Sequence, residues 1–214
     1  MIKYDIIATG SSGNAVIIED NILIDCGVPF SRLKEYVRRL KLILLTHQHF
    51  DHFNKATIKR LAFERPTLRF ACAGWLVQSL VDCGVKLSNI DVLQGGKRYS
   101  FGICEVEPFE LPHSVPNVGY KLYVCGKKLI YATDTSSLDG VEARDFDLYM
   151  IEANHTEQEI TDRIAEKLRN GEYSYEFNAR VNHLSREQAD EFIYSNIGAK
   201  GVYIYMHSHE GLEL

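Results

Sequence analysis

The chain has 214 residues, 45% of them hydrophobic and 25% charged, an ordinary globular composition with enough apolar material for a sizeable core. No run approaches the roughly 18 apolar residues that span a membrane, and Met1-Ile2-Lys3-Tyr4-Asp5 lacks the basic-then-apolar layout of a signal peptide. The net charge of −5 argues against indiscriminate nucleic-acid binding, and five dispersed cysteines without a C-x-x-C pair argue against a disulfide framework, so a cytoplasmic protein with no membrane partner is expected.

Residues 2–9 are β-rich, and Gly10-Ser11-Ser12-Gly13-Asn14 is a turn by composition. That turn is either a tight connection or a loop whose N–H groups and Ser11, Ser12 and Asn14 side chains meet an anionic substrate. Residues 15–18 and 22–24 read as a hairpin joined at Glu19-Asp20-Asn21. Ser31 is predicted to cap a helix to about Arg39. Residues 41–45 read as a buried strand. Asn54 is an N-cap for a helix to about Glu64, and Pro66 marks the exit. A short strand is expected over 68–71, then a helix over 74–83 with Leu76, Val77, Leu80 and Val81 inward. Trp75, the one Trp, is expected in packing rather than in base stacking. Val92-Leu93 leads into the Gly95-Gly96 turn.

In the second half, strands are predicted over 104–111, 120–124, 129–132 and 148–151. A helix over 157–170 ends at Gly171, and residues 171–182 read as an irregular connection. Ser185 and Gln188 have capping-box spacing, so a helix is expected from there to about Ser195. Residues 201–205 form the last predicted strand. No linker or charge block interrupts the chain, so residues 1–214 are expected to be one domain. The loosely similar halves suggest two βα layers on one core, an αββα sandwich.

Thr46-His47-Gln48-His49-Phe50-Asp51-His52 stands out from this frame. His47, His49, Asp51 and His52 are all of metal-ligand type and follow a buried strand, where α/β proteins collect ligands. His47 and His49, two apart, can point the same way from an extended segment. Asp51 and His52 can then turn to a second point. Such nitrogen and oxygen donors suit Zn²⁺, with Mn²⁺ or Fe left open. Asp25, also just past a strand, is expected to bond backbone near this loop. His113, Asp134, His183 and His207 lie just beyond predicted strands or before a capped helix, and loops at one sheet edge converge.

These residues resemble the metallo-β-lactamase superfamily of dinuclear metallohydrolases, in its phosphodiesterase branch, over nearly the whole chain. The resemblance implies a four-layer αββα sandwich and two divalent metal ions, Zn²⁺ or Mn²⁺. By the family pattern His47, His49 and His113 bind the first metal. Asp51, His52 and His207 bind the second, and Asp134 bridges both. A metal-bridging hydroxide attacks phosphorus, with Asp51 or Asp134 holding its proton. His183 is the proton donor and Glu152 orients it. His155 and His209 are alternatives to His207 as the seventh ligand.

The segments 10–14, 152–155 and 183–185 most resemble the WalJ-type (YycJ-type) subgroup, described as cytoplasmic exonucleases acting on DNA. Asn154 is accordingly grouped with Ser11, Ser12 and Asn14 at the substrate. The implied function is phosphodiester hydrolysis on nucleic acid, exonuclease-like. The alternatives are a cyclic-nucleotide phosphodiesterase similar to the phage anti-Pycsar enzymes, or a lactone, thioester or β-lactam hydrolase. A homodimer is allowed, since dimers are common in related enzymes.

Overall fold

Apolar runs too short for a helix and flanked by turn residues become strands covered on both faces. A computed structural model of the protein describes residues 1–207. It divides into two compact units, Met1–Pro108 and Phe109–Leu214.

The first unit carries β1 (Tyr4–Ala8), β2 (Ala15–Ile18), β3 (Ile22–Ile24), β4 (Leu42–Leu45), β5 (Arg69–Ala73) and β6 (Ile90–Leu93), hydrogen-bonded in that order as one sheet. The start is antiparallel, with Val16 opposite Ile24, and the sheet turns parallel from β3 onward, with Leu23 opposite Ile43. Every residue of β2, β3 and β4 is buried, which is why none of them alternates in sequence. Helix α1 (Lys55–Glu64) starts where Asn54 Oδ1 accepts from Thr57 N, and it turns Ile58 and Leu61 inward. A 3₁₀ turn at Gly74–Leu76 runs into α2 (Val77–Asp82), so the helix expected over 74–83 is split.

The helix expected from Ser31 to Arg39 is corrected. Phe30–Leu33 is a 3₁₀ turn whose N-cap is Pro29, which has no side-chain oxygen to cap with. Bonds spanning three residues follow, such as Tyr36 N to Leu33 O at 2.9 Å and Arg39 N to Tyr36 O at 2.8 Å.

The second sheet contains β7 (Tyr99–Ser100), β8 (Glu105–Leu111), β9 (Asn117–Val124), β10 (Lys127–Ala132), β11 (Leu148–Glu152) and β12 (Val202–Met206), in the order β12-β11-β10-β9-β8-β7. β9 and β10 form an antiparallel hairpin, while β10, β11 and β12 are parallel. Their three carboxyl ends therefore lie along one edge. Helix α3 (Glu157–Arg169) opens on a capping box of Thr156 and Glu159, and α5 (Arg186–Asn196) on the expected box of Ser185 and Gln188. Apolar packing in the Phe109–Leu214 unit joins Ile130, Tyr149 and Ile151 of the sheet to Ala189 and Ile193 of α5.

Residues 171–182 are not simply irregular, because α4 (Glu176–Asn182) forms within them. It buries no residue and has no side-chain cap, so neither periodicity nor capping signals it. Ion pairs hold it to α3, Lys167 to Glu176 at 2.7 Å and Arg180 to Glu157 at 3.3 Å. No helix among the described residues is long and apolar enough to cross a membrane. The five cysteines are free, and all but Cys125 are buried.

Candidate metal and catalytic centre

In the first unit the histidine loop leaves the carboxyl end of β4 and is wired to its neighbours through backbone. Asn14 N donates to Asp51 O at 2.6 Å, Cys26 N to His52 O at 2.9 Å, and Phe53 N to His49 O at 2.8 Å. Gly27 is needed for close approach: a Cβ built there would lie 1.6 Å from Asp51 O.

The loop gathers its imidazoles. His47 Nε2 lies 3.1 Å from His49 Nδ1, and the His47 and His52 ring centroids are 4.2 Å apart. Asp51 Oδ2 is 3.6 Å from His52 Nε2. Asp25 orients His52 through Oδ2, 2.7 Å from Nδ1, while its Oδ1 accepts from Thr46 N at 3.0 Å and Thr46 Oγ1 at 2.9 Å. An Nδ1–H held by a carboxylate leaves His52 Nε2 unprotonated, the tautomer of a metal-ligating histidine. In this structure Nε2 accepts from Asn14 Nδ2 at 2.8 Å, and a bound ion would take that lone pair instead.

The Asn14 amide is taken up within the protein, by Gly10 N and O at 3.0 Å each and by His52 Nε2 at 2.8 Å. Ser11 and Ser12 are exposed.

In the second unit Asp134 follows β10, Glu152 ends β11, His207 follows β12 and His183 precedes the cap of α5. Asp134, Glu152, His183 and His207 each bring one ligand-type atom to within 4.8 Å of the others. His113 Nε2 lies 3.7 Å from Asp134 Oδ2, and its Nδ1 is 3.2 Å from Asn182 O. Asn117 fixes the Asp134 turn by donating Nδ2 to Thr133 O at 2.9 Å and Asp134 O at 2.7 Å.

Glu152, fully buried, is the hub. Its Oε1 is 2.6 Å from His183 Nδ1 and 3.1 Å from His207 Nδ1, while Oε2 accepts from Thr135 N at 2.8 Å. The His183 and His207 rings stack with centroids 5.2 Å apart. Burial alone would raise the Glu152 pKa and lower that of His183. The charge and hydrogen bond each offers the other outweigh this, so Glu152 sits below the usual carboxylate range and His183 above the usual imidazole range. His155 behaves oppositely, since burial pushes it down and favours the neutral ring.

Asn154 Nδ2 donates to His207 O at 3.0 Å. His209 lies outside the described residues. Asp25, Asp134 and His207 all have left-handed backbone, φ 58°, 56° and 52°, at the ends of strands. Non-glycine residues held there cost on the order of 1–3 kcal/mol, a strain that collects at functional sites.

The donor set fits a divalent ion: imidazole nitrogens and carboxylate oxygens converge, and a buried carboxylate sets the tautomer of His52. The sequence reading gave no role to Asn117 or to Thr46 at the head of the histidine stretch, because each acts through a contact that only folding creates.

The Beta-lactamase superfamily domain model matches residues 20–207. The chain belongs to the β-lactamase superfamily. That makes it a member of a superfamily of hydrolases. It is 28% identical over 223 residues to exodeoxyribonuclease WalJ of Streptococcus pneumoniae, covering 95% of this chain and 80% of that protein. Among solved structures, the metallo-β-lactamase fold protein YhfI of Bacillus subtilis superposes with TM-score 0.76 at 18% identity, covering 99% of this chain and 88% of YhfI. The short form of human tRNase Z superposes with TM-score 0.71 at 15% identity, covering 98% of this chain and 93% of that one. The expected α/β class and metallo-β-lactamase fold are borne out.

Proposed function

We propose that this β-lactamase superfamily member is a dinuclear metal-dependent phosphodiester hydrolase acting on nucleic acid in an exonuclease-like manner. The observation that carries the reading is the Glu152–His183 pair, 2.6 Å apart, with His183 stacked on His207 beside Asp134. A hydrolase of a poor leaving group needs a positioned acid beside its ligand cluster, and this pair supplies one. The similarity to exodeoxyribonuclease WalJ supports a DNA substrate.

In this reading residues 1–214 work as one cytoplasmic metallo-hydrolase domain. His47, His49 and His113 hold one divalent ion, Asp51, His52 and His207 hold the other, and Asp134 serves both. The nitrogen and oxygen donors suit Zn²⁺, with Mn²⁺ as the substitute. When bound, such a pair supplies a nucleophile from water near neutral pH and stabilises charge on the phosphoryl oxygens.

The chain's own residues do the rest. Asp51 holds the proton of the attacking water. Glu152 fixes His183 through Nδ1, leaving Nε2 to protonate the departing oxygen, a contribution of about 10²–10⁴-fold. His183 is the acid rather than His207 because its side chain is 18% exposed and reaches substrate, whereas that of His207 is 5% exposed. Ser11 and Ser12, exposed on their turn, meet the phosphate, while Asn14 and Asn154 act through His52 and His207.

The test is metal-loaded protein against labelled single- and double-stranded DNA, cyclic UMP, cyclic CMP, cyclic AMP and bis-(p-nitrophenyl) phosphate, with a chelator control. Chelator-sensitive release of mononucleotides from DNA is expected. Cleavage of a lactone with no phosphodiester cleaved would overturn the proposal.

A further inference from the structure

A concavity in the Phe109–Leu214 unit opens between α3 and the start of α4, with a volume of about 100 Å³. Asn154 and His155 line it, with Glu159 and Arg163 from α3 and Tyr175 and Glu176 from the α4 end. At that size it suits a small anion such as phosphate rather than a folded partner, since a cavity of about 150 Å³ is what holds benzene.

The two carboxylates in it have partners other than Arg163. Glu176 is satisfied by Lys167 Nζ at 2.7 Å and by Ser174 Oγ at 2.8 Å. Glu159 belongs to the capping box at the positive end of α3. Arg163 is half-buried and, among the described residues, pairs with no carboxylate. A guanidinium desolvated without an anion favours an external one, and its planar fork matches a phosphate.

Beside it Tyr175 is 72% exposed, with Tyr173 packed edge-on at 4.9 Å between ring centroids. An aromatic face in solvent next to a free cation is the pairing that single strands use, one base stacked and one phosphate held. The concavity also adjoins the catalytic cluster through its own lining, since Asn154 bonds His207 O. The seven residues of α4 lead from Tyr175 to His183. At about 1.5 Å per residue, α4 spans about 10 Å, a distance that a short stretch of extended single strand covers.

We propose that the α3–α4 concavity is a nucleotide subsite for single-stranded polynucleotide, with a phosphate at Arg163 and a base on Tyr175. This rests on the phosphodiesterase reading and narrows it. A strand with its scissile phosphate at His183 reaches the subsite with a neighbouring nucleotide, and a cyclic mononucleotide is too short to fill both.

The experiment uses the full-length, metal-loaded protein and a fluorescein-labelled phosphorothioate oligothymidylate, with binding read by anisotropy across a salt series. Arg163→Met and Tyr175→Ala should each weaken binding about tenfold. Arg163→Met should also reduce the salt slope by about one, and Arg163→Lys should recover most of the affinity. Metal content and melting temperature should match wild type in all three. Unchanged affinity in the variants, no binding by wild type, or a melting temperature that falls in step with affinity would each overturn the subsite. Hydrolysis of bis-(p-nitrophenyl) phosphate by wild type is scored separately, so a failure of the phosphodiesterase reading registers there and not in the binding arm.

Discussion

Asp25 Oδ2 lies 2.7 Å from His52 Nδ1, and both side chains are fully buried. The contact spans 27 residues of sequence and joins the end of β3 to the histidine loop. It decides which nitrogen of His52 carries the proton. With Nδ1–H donated to the carboxylate, Nε2 is an acceptor, which Asn14 Nδ2 occupies here and which a cation would take in its place.

Asp25→Asn removes that control without straining the backbone, since Asn tolerates the left-handed φ of 58° about as well as Asp. An amide N–H facing Nδ1 favours the other tautomer, with the proton on Nε2. We expect zinc affinity to fall about 10–100-fold, read by competition with a chromophoric chelator. Affinity equal to wild type would show that His52 is not a ligand.

His183 and His207 share Glu152 but should behave differently. His183→Ala is expected to retain two metal ions and lose about 10²–10⁴-fold in turnover. His207→Ala is expected to lose an ion. Elemental analysis beside kinetics checks both, and an ion lost from His183→Ala would exchange the two assignments.

Gly27 permits the histidine loop to pack. A Cβ there would stand 1.6 Å from Asp51 O and 2.8 Å from His52 N, both backbone atoms that cannot swing aside. Gly27→Ala should therefore destabilise the fold by about 3 kcal/mol or more, at the upper end of overpacking costs. Urea unfolding checks it. A variant with wild-type midpoint and metal content would mean that the loop relaxes freely.

How far these features were legible varies with the range of the signal. The β2–β3 hairpin, β4 and the Ser185–Gln188 cap are local patterns, and they fold where the sequence puts them. The ligand-type residues were visible because they follow apolar runs, and His183 because it precedes a capped helix. The Ser31 helix failed because a capping residue in the right neighbourhood was read without asking whether Pro29 already occupied the cap. Helix α4 left no trace because its stability comes from ion pairs to α3 rather than from a buried stripe. Asp25 was expected to bond backbone, and it does, but its second oxygen meets a residue that only the parallel pairing of β3 and β4 brings near.

The Lys167–Glu176 pair ties α4 to α3 and gives a pH-dependent contribution to stability. The Glu176 pKa falls from 4.5 to about 2, mainly through the hydrogen bond from Lys167, with burial opposing and Ser174 assisting. A carboxyl depressed in the folded state contributes stability that is full above its unfolded value. That contribution is lost as pH falls toward the folded value. Glu176→Gln should therefore lower stability at neutral pH by about 0.5–1 kcal/mol, the scale of a partly exposed pair. The gap to wild type should close between pH 4.5 and about 2. Urea midpoints of both proteins across that range check it. Because α4 ends at the residue before His183, the same substitution should loosen the acid's approach and lower turnover. A stability gap that persists at low pH would mean that the carboxylate's charge is not what holds α4 in place.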